Sequence, residues 1–486
     1  MPKNERPNIL FLFAEDMRAD TISSYGNSHI RTPHLDGLVA RGFSFRQNYC
    51  AGSNSGAVCV PSRAMLMSGK YWMHTNNELD GELIFPELFR QNGYTTFITG
   101  KWHNQKASAL RGFERGKALF LGGMSDHTRV PIQDICNGEC SSHRYGEKFS
   151  SELFADAAVE FLTTYDDDQP FLAYAAFTAP HDPRQPPELY CQEYYDNLPP
   201  LPPNFLHQHP FNNGQALGVR DEDLGSYPRT EEMIRHQLAE YYGMVTHLDE
   251  QIGRILQSLE QSGRASNTII IFGVDHGLAM GSHGLLGKQN VYEHSMRVPL
   301  IFAGPEIPEC ESTHALTYVL DVYPTLCALS GIDEPSHLEG HNLCSIWEGE
   351  EQKVRDTVFL PYMGLQRAVR NERWKLICYP QINHHQLFDL ENDPNEINNL
   401  AEDPAFAGVV ESMLLLMKEY QEKLGDEQPL SVLNPKPKEL EPGGHICVPD
   451  RYQPEWIRDK YFGGAGFSEK DIQMIAEEEK VYGNWA

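Results

Sequence analysis

Four short apolar runs each stop at charged or imidazole side chains, and this repetition restricts the chain to very few folds. Asn8 to Phe13 leads into Glu15 and Asp16. Tyr94 to Thr99 leads into Gly100-Lys101-Trp102-His103, and Pro170 to Phe177 into Thr178-Ala179-Pro180-His181-Asp182. Thr268 to Phe272 leads into Gly273-Val274-Asp275-His276-Gly277. Continuous apolar runs of this length read as strands buried on both faces of a parallel sheet. Segments with helical spacing, Ser150 to Leu162 and Glu231 to Leu259, lie between them. Strand–helix alternation predicts an α/β fold, a large and mostly parallel sheet sandwiched by helices. Two acids after one strand can simply solvate a turn. Four strand ends carrying ionisable groups exceed what solvation requires, and open α/β sheets bind ligands beyond the carboxyl ends of their strands.

The pattern changes after Ile301-Phe302-Ala303-Gly304-Pro305. Leu320 to Ser330 reads as a helix and Gly340 to Gly349 as a connection. Thr357–Tyr362, Gln366–Arg370, Trp374–Tyr379 and Gln386–Leu390 then read as short strands divided by turn residues, with Phe406 to Leu424 as a covering helix. The expected division is a catalytic α/β unit over 1–355, a small antiparallel sheet with its helix over 356–425, and a proline-rich, acidic extension over 426–486. One helical stretch, Ser468 to Lys480, stands in that extension, which offers a route to homo-oligomers.

Cys59-Val60-Pro61-Ser62-Arg63 follows the small, flexible lead-in Ala51 to Val58. Pro61 suits the first position of a helix, because its fixed φ fits there and its missing N–H is not needed. Cys59 then sits at a helix N-terminus, which favours anions, and Arg63 one turn later reaches back toward it. A buried structural cysteine is the plainer reading of any single thiol. These five residues, however, resemble the signature of the type I sulfatases, Cys-x-Pro-Ser-Arg, whose cysteine is oxidised to formylglycine.

The resemblance extends over about the first 300 residues and implies an alkaline-phosphatase-like fold. It places Glu15, Asp16, Asp275 and His276 at the metal site and implies one calcium ion; oxygen-rich ligands suit a hard cation. Asp-Asn is common at the later pair and Asp-His a recognised variant; a nitrogen ligand there softens the preference for calcium. Glu15 departs from the aspartate usual in the family and, one methylene longer, shifts or loses that ligand. Lys101 and His103 match the shared Gly-Lys-Trp-His, His181 the histidine after the central strand, and Lys288 the later lysine. Singly, each histidine reads as a satisfied structural residue and Lys288 as a solvated amine; together they match the family's order. The implied chemistry is hydrolysis of a sulfate monoester by a hydrated aldehyde at position 59. Arg63, Lys101, Lys288 and the metal offset charge. His181, helped by Lys288, protonates the leaving oxygen, and His103 takes a proton from the second hydroxyl so that sulfate departs. A formylglycine-generating or sulfatase-maturating enzyme is the implied partner.

Substrate contacts are expected from Asp182 and Arg184 beside His181, and from Arg367, His384 and His385 of the small sheet; Asp182 and Arg184 equally suit a local ion pair. A late Asp-His-Gly resembles carbohydrate and choline sulfatases more than simple aryl sulfatases, and a sugar sulfate at a chain end is the preferred substrate. The alternatives are a phosphonate monoester hydrolase or phosphodiesterase of the same superfamily, and a catalytically silent protein that binds sulfated ligands. A formal net charge of −28 disfavours nucleic acid and anionic membranes as partners, and long sulfated polyanions as substrates. No run approaches the roughly 20 apolar residues of a membrane helix. No cleavable leader is visible, so the expected compartment is the cytoplasm, or the periplasm or exterior if a leader was trimmed. Cys136, Cys140 and His143 form the only cysteine cluster; without an evident fourth ligand, free surface thiols are favoured over zinc.

Overall fold

The computed structural model describes residues 6–136, 138–213, 219–225 and 228–440. Among these, eleven strands build one sheet: β1 (Asn8–Ala14), β2 (Gly42–Tyr49), β3 (Thr95–Lys101), β4 (Arg115–Phe120), β5 (Pro131–Cys136), β6 (Glu139–Cys140), β7 (Arg144–Tyr145), β8 (Phe171–Ala176), β9 (Thr268–Val274), β10 (Arg297–Ala303) and β11 (Glu311–Tyr318). The order is β11-β2-β10-β9-β1-β8-β3-β4-β5-β6, with β7 against β5. The four apolar runs are β1, β3, β8 and β9. They lie side by side as β9-β1-β8-β3, all parallel, so their carboxyl ends share one edge.

Alternation along β1 explains the three layers. Leu10, Leu12 and Ala14 face a core shared with helices Ser150–Thr164 and Glu231–Gln261. Ile9, Phe11 and Phe13 face the other way, toward helices Cys59–Ser68, Phe85–Gln91 and Val322–Ser330. A strand with apolar side chains on both faces can only be covered twice. The helix at Cys59 begins with the cysteine itself, since Val58 is already in the right-handed helical region (φ −54°, ψ −29°); Pro61 is its third residue, not its first. Leu320 and Asp321 belong to a 3₁₀ turn that precedes helix Val322–Ser330, and the 340–349 connection contains the short helix Cys344–Trp347.

A second sheet, the meander β12 (Val358–Tyr362), β13 (Gln366–Arg370), β14 (Trp374–Tyr379) and β15 (His384–Asp389), is wholly antiparallel and packs under helix Ala407–Leu424. It props the large sheet at two places. Ser53, in the lead-in to Cys59, pairs with β12 through Ser53 N to Pro361 O (2.9 Å) and Met363 N to Ser53 O (2.8 Å). Gln366 on β13 accepts from Val291 N (3.2 Å) and donates to Gln289 O (3.3 Å), beside Lys288. A buried knot adds to this: Lys375 reaches Glu293 (3.0 Å) and Glu396 (2.8 Å), and Tyr49 donates to Glu293 (2.7 Å). The helical stretch expected at Ser468 to Lys480 lies outside the described residues. Cys136 and Cys140 are free thiols on the β5–β6 hairpin. No helix among the described residues is long and apolar enough to cross a membrane.

Gly100 decides how closely β3 and β8 approach. Its φ is +86°, and an added Cβ would stand 1.8 Å from the Ala176 carbonyl oxygen. Gly408, exposed in helix Ala407–Leu424, has nothing within 4 Å of a Cβ. Gly100→Ala is expected to cost more than about 3 kcal/mol, whereas Gly408→Ala gains up to about 1 kcal/mol of helix propensity. Parallel thermal melts check the contrast, and equal melting temperatures would contradict it.

Candidate active site

The shared carboxyl edge collects the charged residues of all four strand ends. Glu15 and Asp16 leave β1, Lys101 closes β3, His181 follows β8, and Asp275 and His276 follow β9. Helix Cys59–Ser68 is fixed over this edge by Ser62 Oγ, which donates to Asp275 O (2.7 Å), and by Asn104 Nδ2, which donates to Val60 O (3.0 Å). Cys59 is 1 % exposed. Its Sγ lies 3.3 Å from His103 Nδ1 and 3.9 Å from Lys101 Nζ. Burial pushes the thiol up to about 12, against the pull of Lys101. It is therefore a protonated sulfur and a poor nucleophile near neutrality.

Arg63 stands behind Cys59, with Nε 3.4 Å from Asp275 Oδ2, Nη2 4.0 Å from Glu15 Oε2, and Nη1 donating to Lys101 O (3.0 Å). Lys101 ion-pairs with Glu15. Lys288 Nζ contacts both Asp16 oxygens (3.0 and 3.2 Å) and donates to His181 Nε2 (3.0 Å). His103 and His181 are held well below the usual histidine range, first by burial and next by Lys101 and Lys288 respectively. Both rings are neutral. His103 is thus a base beside position 59, while the proton shared by His181 and Lys288 rests on the lysine, whose ammonium Asp16 and Asp221 favour.

Among the described residues, three buried acceptors of the proposed metal set have no hydrogen-bond partner: Glu15 Oε2, Asp275 Oδ2 and His276 Nε2. His276 Nδ1 faces Gly277 O (3.0 Å) and Asp16 Oδ1 (3.3 Å), both acceptors, so it carries the ring proton and leaves a lone pair on Nε2. Asp16, Asp275 and His276 present donor atoms within 4.8 Å of one another, as do Glu15, Asp16 and His181. Carboxylate and imidazole lone pairs without hydrogen bonds in a dry cleft fit a divalent cation. Glu15 supports the same reading: burial raises its carboxyl to about 7 despite Lys101, a cost that a cation would offset.

The expected substrate contacts fare differently. Asp182 lies beside His181, but both its oxygens are held by Arg220 (2.7 and 2.8 Å). Arg184 is buried and donates to Gln237 on helix Glu231–Gln261. Arg367 grips Asp426 with two bonds (2.6 and 2.8 Å), since side-chain alternation along β13 turns it away from its neighbour Gln366. His384 packs edge-on against Phe211 at 4.6 Å. Arg184, Arg367 and His384 are accordingly engaged with partners other than the catalytic cluster. Residues that the sequence reading missed include Asn104, which follows Gly-Lys-Trp-His directly, and Tyr241, whose hydroxyl donates to Asp16 O (2.6 Å). Glu222 was missed too. It accepts from Leu286 N (3.0 Å) and Gly287 N (2.8 Å) to fix the Lys288 loop, yet its run Arg220-Asp221-Glu222-Asp223 reads as solvated charge.

Comparison with known proteins identifies the family. The family profile described as Sulfatase matches residues 7–332. The chain belongs to the sulfatase family. It is a sulfuric-ester hydrolase, and a second profile, N-sulphoglucosamine sulphohydrolase C-terminal, matches residues 281–423. An N-acetylglucosamine-6-O-sulfatase of Bacteroides thetaiotaomicron is 26% identical over 88% of this chain and 88% of its own length. An ulvan-active sulfatase of Formosa agariphila is 28% identical over 87% of this chain and 82% of its own. A solved structure, described as a complex with its substrate D-glucosamine-2-N,6-O-disulfate, superposes with a TM-score of 0.75 at 25% identity, covering 87% of this chain and 99% of that one.

Adding calcium to metal-stripped sulfatase should raise its melting temperature. At a hundredfold excess over Kd the gain is about 2.7 kcal/mol. Asp275→Asn removes one orphan acceptor and should abolish most of that gain. An unshifted wild type, or an equal shift in the variant, would contradict the cation site.

Proposed function

We propose that this sulfatase removes a sulfate group from a sugar at a chain end, using formylglycine made from Cys59 and one calcium ion. The observation that carries the reading is the buried, protonated Cys59 sulfur beside a neutral histidine and the Lys101 ammonium, next to acceptors that lack hydrogen bonds. A thiol in that position does little; a hydrated aldehyde there supplies a hydroxyl oxygen as nucleophile. Calcium, held by Asp16, Asp275 and His276 with Glu15, would supply Lewis acidity toward the ester.

The remaining chemistry belongs to the side chains. Three carboxylates (Glu15, Asp16, Asp275) face three cations (Arg63, Lys101, Lys288), so a bound dication leaves surplus positive charge for a singly charged sulfate ester. Arg63 and Lys101 face the charge that develops on the transferred group. His103, neutral and 3.3 Å from the position-59 side chain, accepts its proton. The Lys288–His181 pair delivers a proton to the leaving oxygen, which a sugar alkoxide needs more than a phenolate does. Because Cys59 is so deeply buried, a maturating enzyme must reach it before the fold closes.

The relatives named for N-acetylglucosamine-6-O-sulfate and for D-glucosamine-2-N,6-O-disulfate favour a small sulfated amino sugar. The net charge of −28 argues against a long polyanion. The test has two parts. After co-expression with a maturating enzyme, mass spectrometry should find formylglycine at position 59. The matured enzyme should also release sulfate from N-acetylglucosamine 6-sulfate faster than it cleaves a phosphonate ester. Cys59→Ala should lose at least about 10³-fold in turnover, in line with removal of a nucleophile. A thiol at position 59 in a fully active preparation, or preference for the phosphonate, would overturn the proposal.

A further inference from the structure

Arg220 is tied to both halves of the acid pair through two carboxylates. It opens the 3₁₀ segment Arg220–Leu224, and its side chain is 40% exposed at the rim. Asp182 and Asp221, its acidic partners among the described residues, are buried. On one side, Nη1 and Nη2 donate to the two oxygens of Asp182 (2.7 and 2.8 Å). Asp182 in turn holds the His181 ring: its backbone oxygen accepts from Nδ1 (2.7 Å), and its Oδ1 lies 3.3 Å from the same nitrogen. On the other side, Nε and Nη2 donate to Asp221 Oδ1 (3.0 and 2.6 Å). Asp221 Oδ2 accepts from Gln289 Nε2 (2.8 Å) and lies 3.9 Å from Lys288 Nζ. The guanidinium also rests on Met124 Sδ (2.7 Å). One planar fork therefore ties the loop after β8 to the 3₁₀ segment, and Asp221 carries the tie on to Gln289 and Lys288 in the loop after β9. Only an arginine presents enough donors in fixed geometry to serve two carboxylates at once.

We infer that Arg220 is a positioning residue that sets the separation of His181 and Lys288, and through it the delivery of a proton to the leaving oxygen. The inference rests on the sulfatase reading. His181 Nε2 and Lys288 Nζ come from different loops and meet at 3.0 Å. Without Arg220, the Asp182 and Asp221 carboxylates lose their common counter-ion and repel each other, and the loops they steer lose their shared anchor. Proton delivery tolerates little displacement, because the donor must stay within hydrogen-bond reach of the departing atom.

The test compares two sulfate esters that differ in their need for that proton. 4-Nitrophenyl sulfate leaves as a stable phenolate, and N-acetylglucosamine 6-sulfate leaves as an alkoxide. Arg220→Met should lower kcat on the sugar sulfate at least about tenfold more than on the aryl sulfate, with Arg220→Lys intermediate. Asp182→Asn, nearly isosteric, should show the same bias and serves if Arg220→Met does not fold. Equal losses on the two esters, a loss confined to KM, or undiminished kcat would each overturn the positioning role. A wild type that cleaves neither ester would overturn the proposed sugar-sulfate reading and the inference with it. A wild type that cleaves both, with no bias in the variants, would overturn the inference alone.

Discussion

Three carboxylates and three cations kept dry at one sheet edge are the constraint on which the rest of the molecule depends. Glu15, Asp16 and Asp275 are all essentially inaccessible, as are Arg63, Lys101 and Lys288. Buried ions are tolerated only when their partners are held in place. The partners here sit on three strand ends, on one helix and on the loop that carries Lys288, so the fold itself enforces the pairing. The compensation is still incomplete, because Glu15 Oε2, Asp275 Oδ2 and the Arg63 Nε and Nη2 donors lack hydrogen bonds. A cluster left that far from self-sufficiency is poised for a cation and an anion together.

Architecture follows from that requirement. Parallel strands bring their carboxyl ends to one edge, and β9-β1-β8-β3 are consecutive, so four loops converge without long excursions. Gly100 allows β3 and β8 to close up beside Lys101. The small sheet contributes no residue to the cluster, yet Pro361 holds the Cys59 lead-in and Gln366 holds the Lys288 loop. Its stability is thereby linked to the placement of the nucleophile.

Much of this was readable from the residues. The four central strands, both long helices and the antiparallel meander are carried by local apolar patterns that tertiary context reinforces. Strands β2 and β11 were not foreseen, because Gly42–Tyr49 and Glu311–Tyr318 mix Ser, Arg, Gln, Asn, Glu and Thr with apolar residues. Every residue of the proposed catalytic and metal set lies in the same cleft. Three of the expected substrate contacts do not open onto it in the same way: Asp182, Arg184 and Arg367 are paired to Arg220, Gln237 and Asp426, partners that are distant in sequence and set only by packing. Arg220 and Glu222 escaped notice for the opposite reason, since a run of consecutive charged residues looks like surface until the fold buries one side of it.

The central claim is that one hard cation and the side chain at position 59 share the cleft of Asp16, Asp275 and His276. An anomalous-scattering map of matured crystals soaked in calcium tests it most directly. One peak is predicted within bonding distance of all three residues, with oxygen in place of sulfur at position 59. A peak elsewhere, or a calcium-soaked site where Arg63 and Lys288 alone neutralise the carboxylates, would contradict it.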